Sequence, residues 1–411
     1  MARIEPFQAI RPQPRFVQQV AAPPYDVLSS EEARHMARGN PYSFLHVGKP
    51  EIDLPEGTPL YNPEVYAKGK ENYARLLREG VLFQDRKKNF YVYKQIWGSH
   101  TQIGIVAGAS CQDYLDGVIK KHELTREDKE NDRLRHIETL NAQTGPVFLT
   151  YKQRANIDRL VEQETAKGPA YDFATADDVR HVFFVVEDET WIAAIKKEFA
   201  ALDRLYVADG HHRSAAATRI KVIRQQNNPR HSGDEEYNFF LAVIFPHNQL
   251  KILPYNRIVH DLQGSSPAQF LAKIARAFSC EPGAPQPRQS REFSMYLQGR
   301  WYWLRPKDGT FPADDPVASL DVSILQNNLL SPILGIANPR TDKRIDFVGG
   351  IRGTSELEKK VNNGRYAAAF SLRATTIDQL FAIADANKIM PPKSTWFEPK
   401  LKDGLAVHRL D

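Results

Sequence analysis

Five consecutive residues near the middle of the chain carry groups that together suit the binding of an anion. They are Asp209, Gly210, His211, His212 and Arg213. A guanidinium fork can hold two phosphate oxygens at once, and imidazoles can donate further hydrogen bonds. Phosphate is therefore the ligand that these residue types predict first. The simpler alternative is that the aspartate only caps a helix, while one histidine lies on the surface and the other in the core.

The residues around this 209–213 segment predict a strand, a loop and a helix. Residues 205–208 are apolar, with an aromatic and a β-branched side chain that favour extended structure. Gly210 can adopt the backbone angles of a sharp turn, and the alanine-rich residues 214–220 have high helix propensity. The segment would then lie at a helix N-terminus, where unpaired N–H groups and the helix dipole favour an anion.

Two proline-rich stretches, one near each end of the chain, add candidate residues. Asp26 follows two prolines and a tyrosine and precedes a helix predicted to begin at residue 29 or 30. It could face a phosphate or a metal, or accept a proton from an attacking hydroxyl, or it could simply be a turn residue. Lys393, Ser394 and Thr395 lie in a stretch stiffened by prolines, which could hold them against a phosphate with little ordering cost, or could be a plain surface tail.

A polar stretch at residues 120–141 also contains groups that suit phosphate chemistry. Its notable members are His122, Glu123, Arg133 and His136, and apolar residues recur at helical spacing from about residue 125 onward. Arg133 and His136 are three residues apart and so share a helix face. A solvated, charged helix is the alternative interpretation of the same pattern.

The 209–213 segment resembles the phosphate-binding signature of the ParB/sulfiredoxin superfamily, which includes sulfiredoxin, the CTP-binding ParB proteins and an ADP-dependent free serine kinase. A longer pattern resembles the family called domain of unknown function 1015. It departs from that family at Asn256, where a histidine is expected before Arg257. The residues that carry the longer pattern are 23–27, 121–125, 132–133, 209–213, 390–395, 397 and 399–401.

The resemblance implies phosphoryl transfer or nucleotide binding, with ADP or ATP as the nucleotide and Mg²⁺ held by carboxylates. It implies an enzyme, a phosphotransferase such as a free-serine kinase or a phosphatase that processes phosphoserine. It places several of the residues named above at one site. The implied catalytic residues are Asp26, Glu123, His211 and His212, with either acid as base and either histidine as proton donor. The implied phosphate- or nucleotide-binding residues are Asp209, Gly210, His211, His212, Arg213, Arg133, Lys393, Ser394 and Thr395.

Strands and helices alternate on both sides of the 209–213 segment, which predicts an α/β protein with a mixed sheet and the segment at the sheet edge. The resemblance implies a ParB/sulfiredoxin-like core with a C-terminal α+β extension. Hairpins are predicted at residues 90–109 and 239–253. The chain changes character after residue 260, with a helix at 267–278, a proline-rich loop and another hairpin. We therefore predict an α/β domain at 1–260 that carries the site and an α+β domain at 261–411 that contributes the Lys393 loop.

Composition narrows the class of protein further. The chain has 411 residues with a net charge of +5, no basic block, and two cysteines, Cys111 and Cys280, in no ligand-like spacing. This pattern argues against a disulfide scaffold and a cysteine zinc site. No apolar run approaches the length of a membrane span, and the N-terminus lacks a signal-peptide layout. We expect a cytoplasmic protein whose partner is a small phosphorylated metabolite or a nucleotide.

Two other functions compete with this interpretation. One is a ParB-like nucleotide-gated module that acts on DNA or a protein without turning over a metabolite. A basic helix-turn-helix segment would indicate it, and none is evident, so nucleic acid is not an expected partner. The other is a histidine-metal hydrolase built on His211 and His212, although the helical spacing of two metal-binding histidines is absent.

Overall fold

The strands and helices alternate as the sequence predicts, and they fall into two units. The computed structural model describes residues 1–411. The first unit comprises Met1–Lys121, Thr125–Leu250 and Pro399–Asp411, and the second comprises His122–Leu124 and Lys251–Glu398. The break at Leu250 lies ten residues before the one predicted at 260, and the C-terminal segment belongs to the first unit because backbone bridges join Ala22 to Asp403 and Ile10 to Val407.

The first unit contains nine helices and thirteen strands. The strands are β1 (Ile4–Glu5), β2 (Ile10–Pro12), β3 (Leu82–Gln84), β4 (Phe90–Trp97), β5 (His100–Ser110), β6 (Ile119–Lys120), β7 (Ala142–Gln143), β8 (Val147–Tyr151), β9 (Tyr171–Ala174), β10 (Val179–Val186), β11 (Leu205–Asp209), β12 (Phe239–Pro246) and β21 (His408–Arg409). The helices are α1 (Val17–Val20), α2 (Ser30–Ala37), α3 (Leu45–Gly48), α4 (Pro63–Arg78), α5 (Cys111–Leu115), α6 (Glu127–Leu140), α7 (Ala155–Thr165), α8 (Glu189–Ala200) and α9 (His211–Asn227).

A nine-stranded mixed sheet organises the first unit. Its strands run in the order β6, β11, β8, β12, β5, β4, β10, β9, and β1 pairs with β5. The pairs β6–β11 and β8–β12 are parallel, while the others are antiparallel. The apolar runs of β8 and β12 are buried along their whole length, as expected of central strands covered on both faces. The predicted mixed α/β architecture is therefore confirmed.

Local sequence signals explain several helix boundaries in this unit. Ser29 caps α2, and Glu32 completes the capping box. Asn62 caps α4, and Pro63 takes the first helical position, where its missing N–H costs nothing. The hairpin predicted at residues 90–109 is present as β4 and β5.

The second unit contains eight strands and four helices. They are β13 (Lys251–Leu253), β14 (Tyr255–Val259), β15 (Phe278–Pro282), β16 (Phe293–Leu297), β17 (Arg300–Pro306), β18 (Ile345–Gly349), β19 (Ala368–Ser371), β20 (Trp396–Glu398), α10 (Pro267–Ile274), α11 (Asp321–Leu325), α12 (Gly353–Asn362) and α13 (Ile377–Asp385). Six of the strands form an antiparallel sheet in the order β15, β17, β16, β19, β14, β18. β13 and β20 form a separate pair.

Two predictions about these elements are wrong. Residues 250–253 do not form a hairpin with β12, because β13 pairs with the distant β20 instead. The helix predicted at 267–278 ends at Ile274, and Phe278 begins β15, where its side chain is buried against Phe293 of β16 in the same sheet. Both errors concern short apolar runs, whose periodicity does not reveal their pairing partner.

None of the helices combines the length and the apolar character that crossing a bilayer would require.

Candidate functional site

The 209–213 segment lies at the junction of β11 and α9, as predicted. β11 ends at Asp209, and its register against β8 shifts between Val207 and Asp209. Gly210 has a φ of 93°, and α9 begins at His211. The simpler alternative, in which Asp209 only caps the helix, does not hold: the N-cap residue is Gly210, and the Asp209 carboxylate accepts a hydrogen bond from the Gly210 N–H at 2.8 Å.

Glycine at position 210 is required both by the backbone and by the space beside it. A φ of 93° is unfavourable for any residue with a side chain. A Cβ at this position would lie 3.1 Å from Nε and 3.3 Å from Cζ of Arg213. The glycine therefore lets the guanidinium of Arg213 pack directly against the turn.

We expect Gly210→Ala to weaken binding of phosphate ligands at Arg213, whereas Gly233→Ala will not. Gly233 has an almost identical φ of 94° but open space where a Cβ would lie, so the two substitutions carry a similar backbone strain of about 1–2 kcal/mol. Only the change at Gly210 displaces the guanidinium. Thermal unfolding of the two variants compares the backbone strain, and titration with AMP or ethyl phosphate measures binding. Equal affinities in both variants would contradict the role of Gly210 in positioning Arg213.

Arg213 is a buried cation whose charge interacts with several acidic groups. Its side chain is 9% exposed, Nη1 donates a hydrogen bond to the Pro146 carbonyl, and Nη2 lies 3.8 Å from Oδ2 of Asp26. Its Nε is buried and has no hydrogen-bond partner. Burial lowers the pKa of Arg213, but the carboxylates of Asp26, Asp209 and Asp403 outweigh burial and raise it overall, so the group stays charged. The structure thus brings the predicted residues Asp26 and Arg213 together.

Asp209 is held in its ionised form by a lysine from the C-terminal segment. Nζ of Lys400 lies 3.0 Å from Oδ2 of Asp209. Burial opposes ionisation of this carboxyl, but Lys400 and Arg213 prevail and lower its pKa well below its usual range. Asp209 is therefore a fixed anion that orients the turn and Lys400.

Arg133 supplies a second buried guanidinium, on α6. Its Nε and Nη2 both donate to Oδ2 of Asp132, at 3.0 and 2.8 Å, and its Cζ lies 3.8 Å from the centre of the Tyr25 ring. His136, one turn further along, has its Nε2 at 2.9 Å from the Val47 carbonyl. Burial, together with the charge of Arg133, lowers the pKa of His136 to about 4, so this imidazole is neutral and fixed as a donor.

These side chains surround one cavity within the first unit. The space between these residues is narrow: about 30 Å³ of it admits the centre of a water molecule, within about 440 Å³ of non-atom space that includes the solvent at its mouth. Its lining residues are Tyr25, Gly48, Arg133, His136, Ile137, Gln143, Thr144, Gly145, Val147, Arg213, Ala217, Phe240, Leu241 and Asp403. Two arginines and one aspartate therefore line a space whose other walls are apolar residues, glycines and the neutral polar side chains of His136, Gln143 and Thr144, with Tyr25.

Asp403 is the member of this cavity that sequence reasoning missed. It is 4% exposed, and its Oδ1 has no hydrogen-bond partner. Burial raises its pKa to about 7, against the opposing charges of Arg213 and Arg133. Asp403 is the one acidic residue between positions 399 and 410, and Gly404 follows it. This local pattern is the sequence signal by which the residue could have been found.

We expect the unfolding midpoint of the Asp403→Asn variant, relative to that of the wild type, to increase as pH rises. In the folded state the pKa of this carboxyl group is about 7, above its ordinary value of 3.8. Its contribution to the stability of the fold is therefore full below about pH 3.8 and is lost as the pH rises through 7. An amide does not titrate. The midpoint difference between variant and wild type should therefore be a few degrees larger at pH 8 than at pH 5. Asp203→Asn, at an exposed position, is the control; a difference that does not change with pH would contradict the assignment.

The two histidines of the segment have different environments. His211 is buried, whereas His212 is half-buried and its Nε2 accepts a hydrogen bond from the Arg126 N–H at 3.0 Å. His212 Nε2 is thus already used in holding the start of α6. No group of three or more histidine, cysteine or acidic side chains lies close enough together to hold a metal ion. The arrangement gives no support to a histidine-metal hydrolase.

The other predicted residues belong to the second unit. His122 is buried, Glu123 is half-buried, and the His122 carbonyl accepts a hydrogen bond from the Met390 N–H. Lys393 is exposed, has a φ of 58°, and places Nζ 5.4 Å from the centre of the Tyr255 ring.

The two hydroxyl residues beside Lys393 differ in burial. Ser394 is buried, and its hydroxyl donates to the Pro391 carbonyl at 2.6 Å, while its own carbonyl accepts from Thr375. Thr395 is half-buried. The roles of Glu123, Lys393, Ser394 and Thr395 stay predictions.

Asn256, where the resemblance leads one to expect a histidine, has a structural role. Its side-chain oxygen accepts a hydrogen bond from the Leu372 N–H at 3.1 Å and so links β14 to the end of β19. The amide of Asn256 therefore takes the position of the expected imidazole, and its buried side-chain oxygen has a hydrogen-bond partner.

Comparison with known families and structures identifies the class of this chain. The model of the family described as Protein of unknown function (DUF1015) matches residues 4–323, which is 320 of the 411 residues. The chain therefore belongs to the DUF1015 family, as its motifs predicted. No match was found among curated proteins.

Several solved structures share a distant likeness with this chain. Free serine kinase in complex with AMP is 10% identical and has a TM-score of 0.37, with 71% of this chain and 89% of that chain covered. A conserved hypothetical protein from Pyrococcus furiosus is 11% identical at a TM-score of 0.37, covering 76% and 97%. SbnI with a C-terminal truncation, from Staphylococcus aureus, is 9% identical at 0.37, covering 72% and 85%.

Proposed function

We propose that this protein binds a nucleotide or a phosphorylated small molecule beside Arg213 and transfers or removes a phosphoryl group. One observation carries the proposal. Arg213 is a buried guanidinium at the first turn of a 17-residue helix, its side chain lines the cavity, and its Nε has no hydrogen-bond partner. A buried donor without a partner is costly, and an anionic ligand would supply the missing acceptor.

The surroundings of Arg213 supply the main requirement of phosphoryl transfer, which is stabilisation of charge spread over the transferring group. Arg213, the N-terminal amides of α9 and Arg133 would share that task. Asp209 and Gly210 would shape the turn that presents these amides.

Asp26 is the proposed general base. Its side chain is 36% exposed, which leaves it accessible to an acceptor, and it lies 3.8 Å from Nη2 of Arg213. In the step we propose, Asp26 takes the proton of an acceptor hydroxyl while the acceptor oxygen forms a bond to phosphorus. The bond from phosphorus to the leaving oxygen breaks, and His211 or His212 protonates that oxygen. Glu123 is the alternative base.

ADP or ATP is the proposed phosphoryl donor, with Mg²⁺ bound through the phosphates and one or two carboxylates. A free-serine kinase or a phosphoserine-processing enzyme is the specific form that the resemblance of the 209–213 segment suggests. The cellular location that we expect is the cytoplasm.

A ligand panel tests the proposal directly. Thermal unfolding would be measured with AMP, ADP, ATP, serine and phosphoserine, each with and without Mg²⁺, because a ligand that binds the folded state raises the unfolding midpoint. We expect at least one phosphorylated compound to raise the midpoint in a concentration-dependent manner. No stabilisation by any of them, at millimolar concentrations, would overturn the proposal.

A further inference from the structure

Asp403 and Arg213 carry opposite charges and face the same cavity, yet they do not form an ion pair. Both side chains are at least nine-tenths buried, Oδ1 of Asp403 has no hydrogen-bond partner, and neither does Nε of Arg213. Arg213 forms its ion pair with Asp26 instead. Buried polar groups are almost always hydrogen-bonded, so two unpaired atoms on one cavity wall call for a common explanation.

The space beside Asp403 is kept open by glycines. A Cβ at Gly145 would lie 3.0 Å from Oδ1 of Asp403, and one at Gly48 would lie 3.8 Å from Oδ2. Gly145 does not have a positive φ, so the backbone does not require glycine there. A side chain at Gly145 would press against the carboxyl group, so glycine leaves room for Asp403 on the cavity wall.

Two backbone hydrogen bonds to Ala22 hold Asp403 in position. Its N–H donates to the Ala22 carbonyl at 2.8 Å, and its own carbonyl accepts from the Ala22 N–H at 3.2 Å. The preceding Lys402 is buried and bonded to Asp177 at 2.6 Å, so it does not neutralise Asp403 through an ion pair. The carboxyl group is therefore a positioned acceptor rather than a mobile surface charge.

We propose that Asp403 is a ligand-binding residue whose Oδ1 accepts a hydrogen bond from a hydroxyl or ammonium group of the molecule whose phosphate lies at Arg213. This inference rests on the proposed function and specifies its ligand: a small phosphate ester with a donor group a few bonds from the phosphorus. An anionic end would pair with Arg213, and a donor end would pair with Asp403. Burial raises the pKa of Asp403 to about 7, and a bound cation would lower it, which fits a group that is completed by its ligand.

Three phosphate esters of matched size provide the test: ethyl phosphate, 2-hydroxyethyl phosphate and 2-aminoethyl phosphate. Affinities would be measured by phosphorus-31 NMR titration of the full chain. We expect the wild type to bind one of the two donor-bearing esters about 10- to 100-fold more tightly than ethyl phosphate, the range typical of a hydrogen bond to a charged group. A preference for the amine identifies an ammonium ligand, and a preference for the alcohol identifies a hydroxyl ligand.

Variants at position 403 test whether the carboxyl group of Asp403 causes the preference for a donor-bearing ester. Asp403→Ala should reduce the preference, expressed as the ratio of the affinities for the donor-bearing ester and for ethyl phosphate, to near onefold. Asp403→Asn should abolish a preference for the amine but retain part of a preference for the alcohol, because an amide oxygen still accepts a hydrogen bond. Circular dichroism and thermal unfolding would show that both variants are folded. If one of them is not folded, the wild-type preference and the other variant still test the role of Asp403.

The outcomes separate this inference from the proposal on which it rests. Equal binding of all three esters by the wild type, or a preference that survives in Asp403→Ala, would overturn the role of Asp403 and leave phosphate binding at Arg213 intact. Binding of none of the three at tens of millimolar would overturn both.

Discussion

The Arg213→Ala variant should bind AMP, ADP or ethyl phosphate more weakly than the wild type by about 2–4 kcal/mol, or roughly 30- to 1000-fold. The reason is that a buried guanidinium forms charge-assisted hydrogen bonds to phosphate in a site with little competing water. Arg213 is 9% exposed, and its Nε has no other partner. Isothermal calorimetry on the wild type and the variant measures the loss.

Lysine at the same position should restore only part of the affinity. An ammonium carries the charge but not the planar fork that binds two oxygens. Arg219→Ala is the matched control, because Arg219 lies on the same helix but pairs with Glu130 at 2.9 Å and does not line the cavity. We expect its affinity for all three probes to equal that of the wild type.

Loss of Arg213 also affects stability, so folding must be checked. The variant leaves Asp26, Asp209 and Asp403 without the cation that offsets their mutual repulsion. We expect a lower unfolding midpoint at neutral pH and partial recovery at lower pH, where buried carboxyls take up protons. If a folded Arg213→Ala protein bound the probes as tightly as the wild type, the site would have to lie elsewhere.

The Asp26→Asn variant should lose about 100-fold or more in turnover while its affinity for the phosphorylated ligand changes little. A general base acts on a proton that moves in the transition state, so its removal lowers the rate without removing ground-state contacts. The geometry agrees with such a division of roles, because Asp26 lies 3.8 Å from Arg213 and is accessible to an acceptor, whereas Arg213 is enclosed.

Phosphoryl transfer from ATP or ADP to serine, followed by phosphorus-31 NMR, would measure the turnover, and calorimetry would measure the affinity. Asp116→Asn is a suitable control, since this exposed carboxylate is in the same unit but outside the cavity. Unchanged turnover in Asp26→Asn would reduce Asp26 to a turn residue that balances the charge of Arg213. A parallel loss of affinity and rate would instead make it a ligand-positioning residue.

The sequence determined the helices and strands of this protein better than it determined which of them pair with one another. The strand, turn and helix at residues 205–227 follow from an apolar run, a glycine and alanine-rich helix propensity, which all act over a few residues. The same local signals set the caps of α2 and α4. The resemblance to a known family placed Asp26 and Arg213 at one site, and the fold brings these two side chains to 3.8 Å.

Only the tertiary structure decided which distant segments meet. Pairing of β13 with β20 rather than β12, and of Ala22 with Asp403, joins residues far apart in the chain. No periodic pattern records such a choice, because backbone hydrogen bonds are the same for every partner. The burial of Asp403 and its pKa of about 7 depend on these long-range contacts and on the charges of Arg213 and Arg133. The chemical character of this carboxyl group is thus a property of the folded cavity, whereas the sequence alone shows only an aspartate before a glycine.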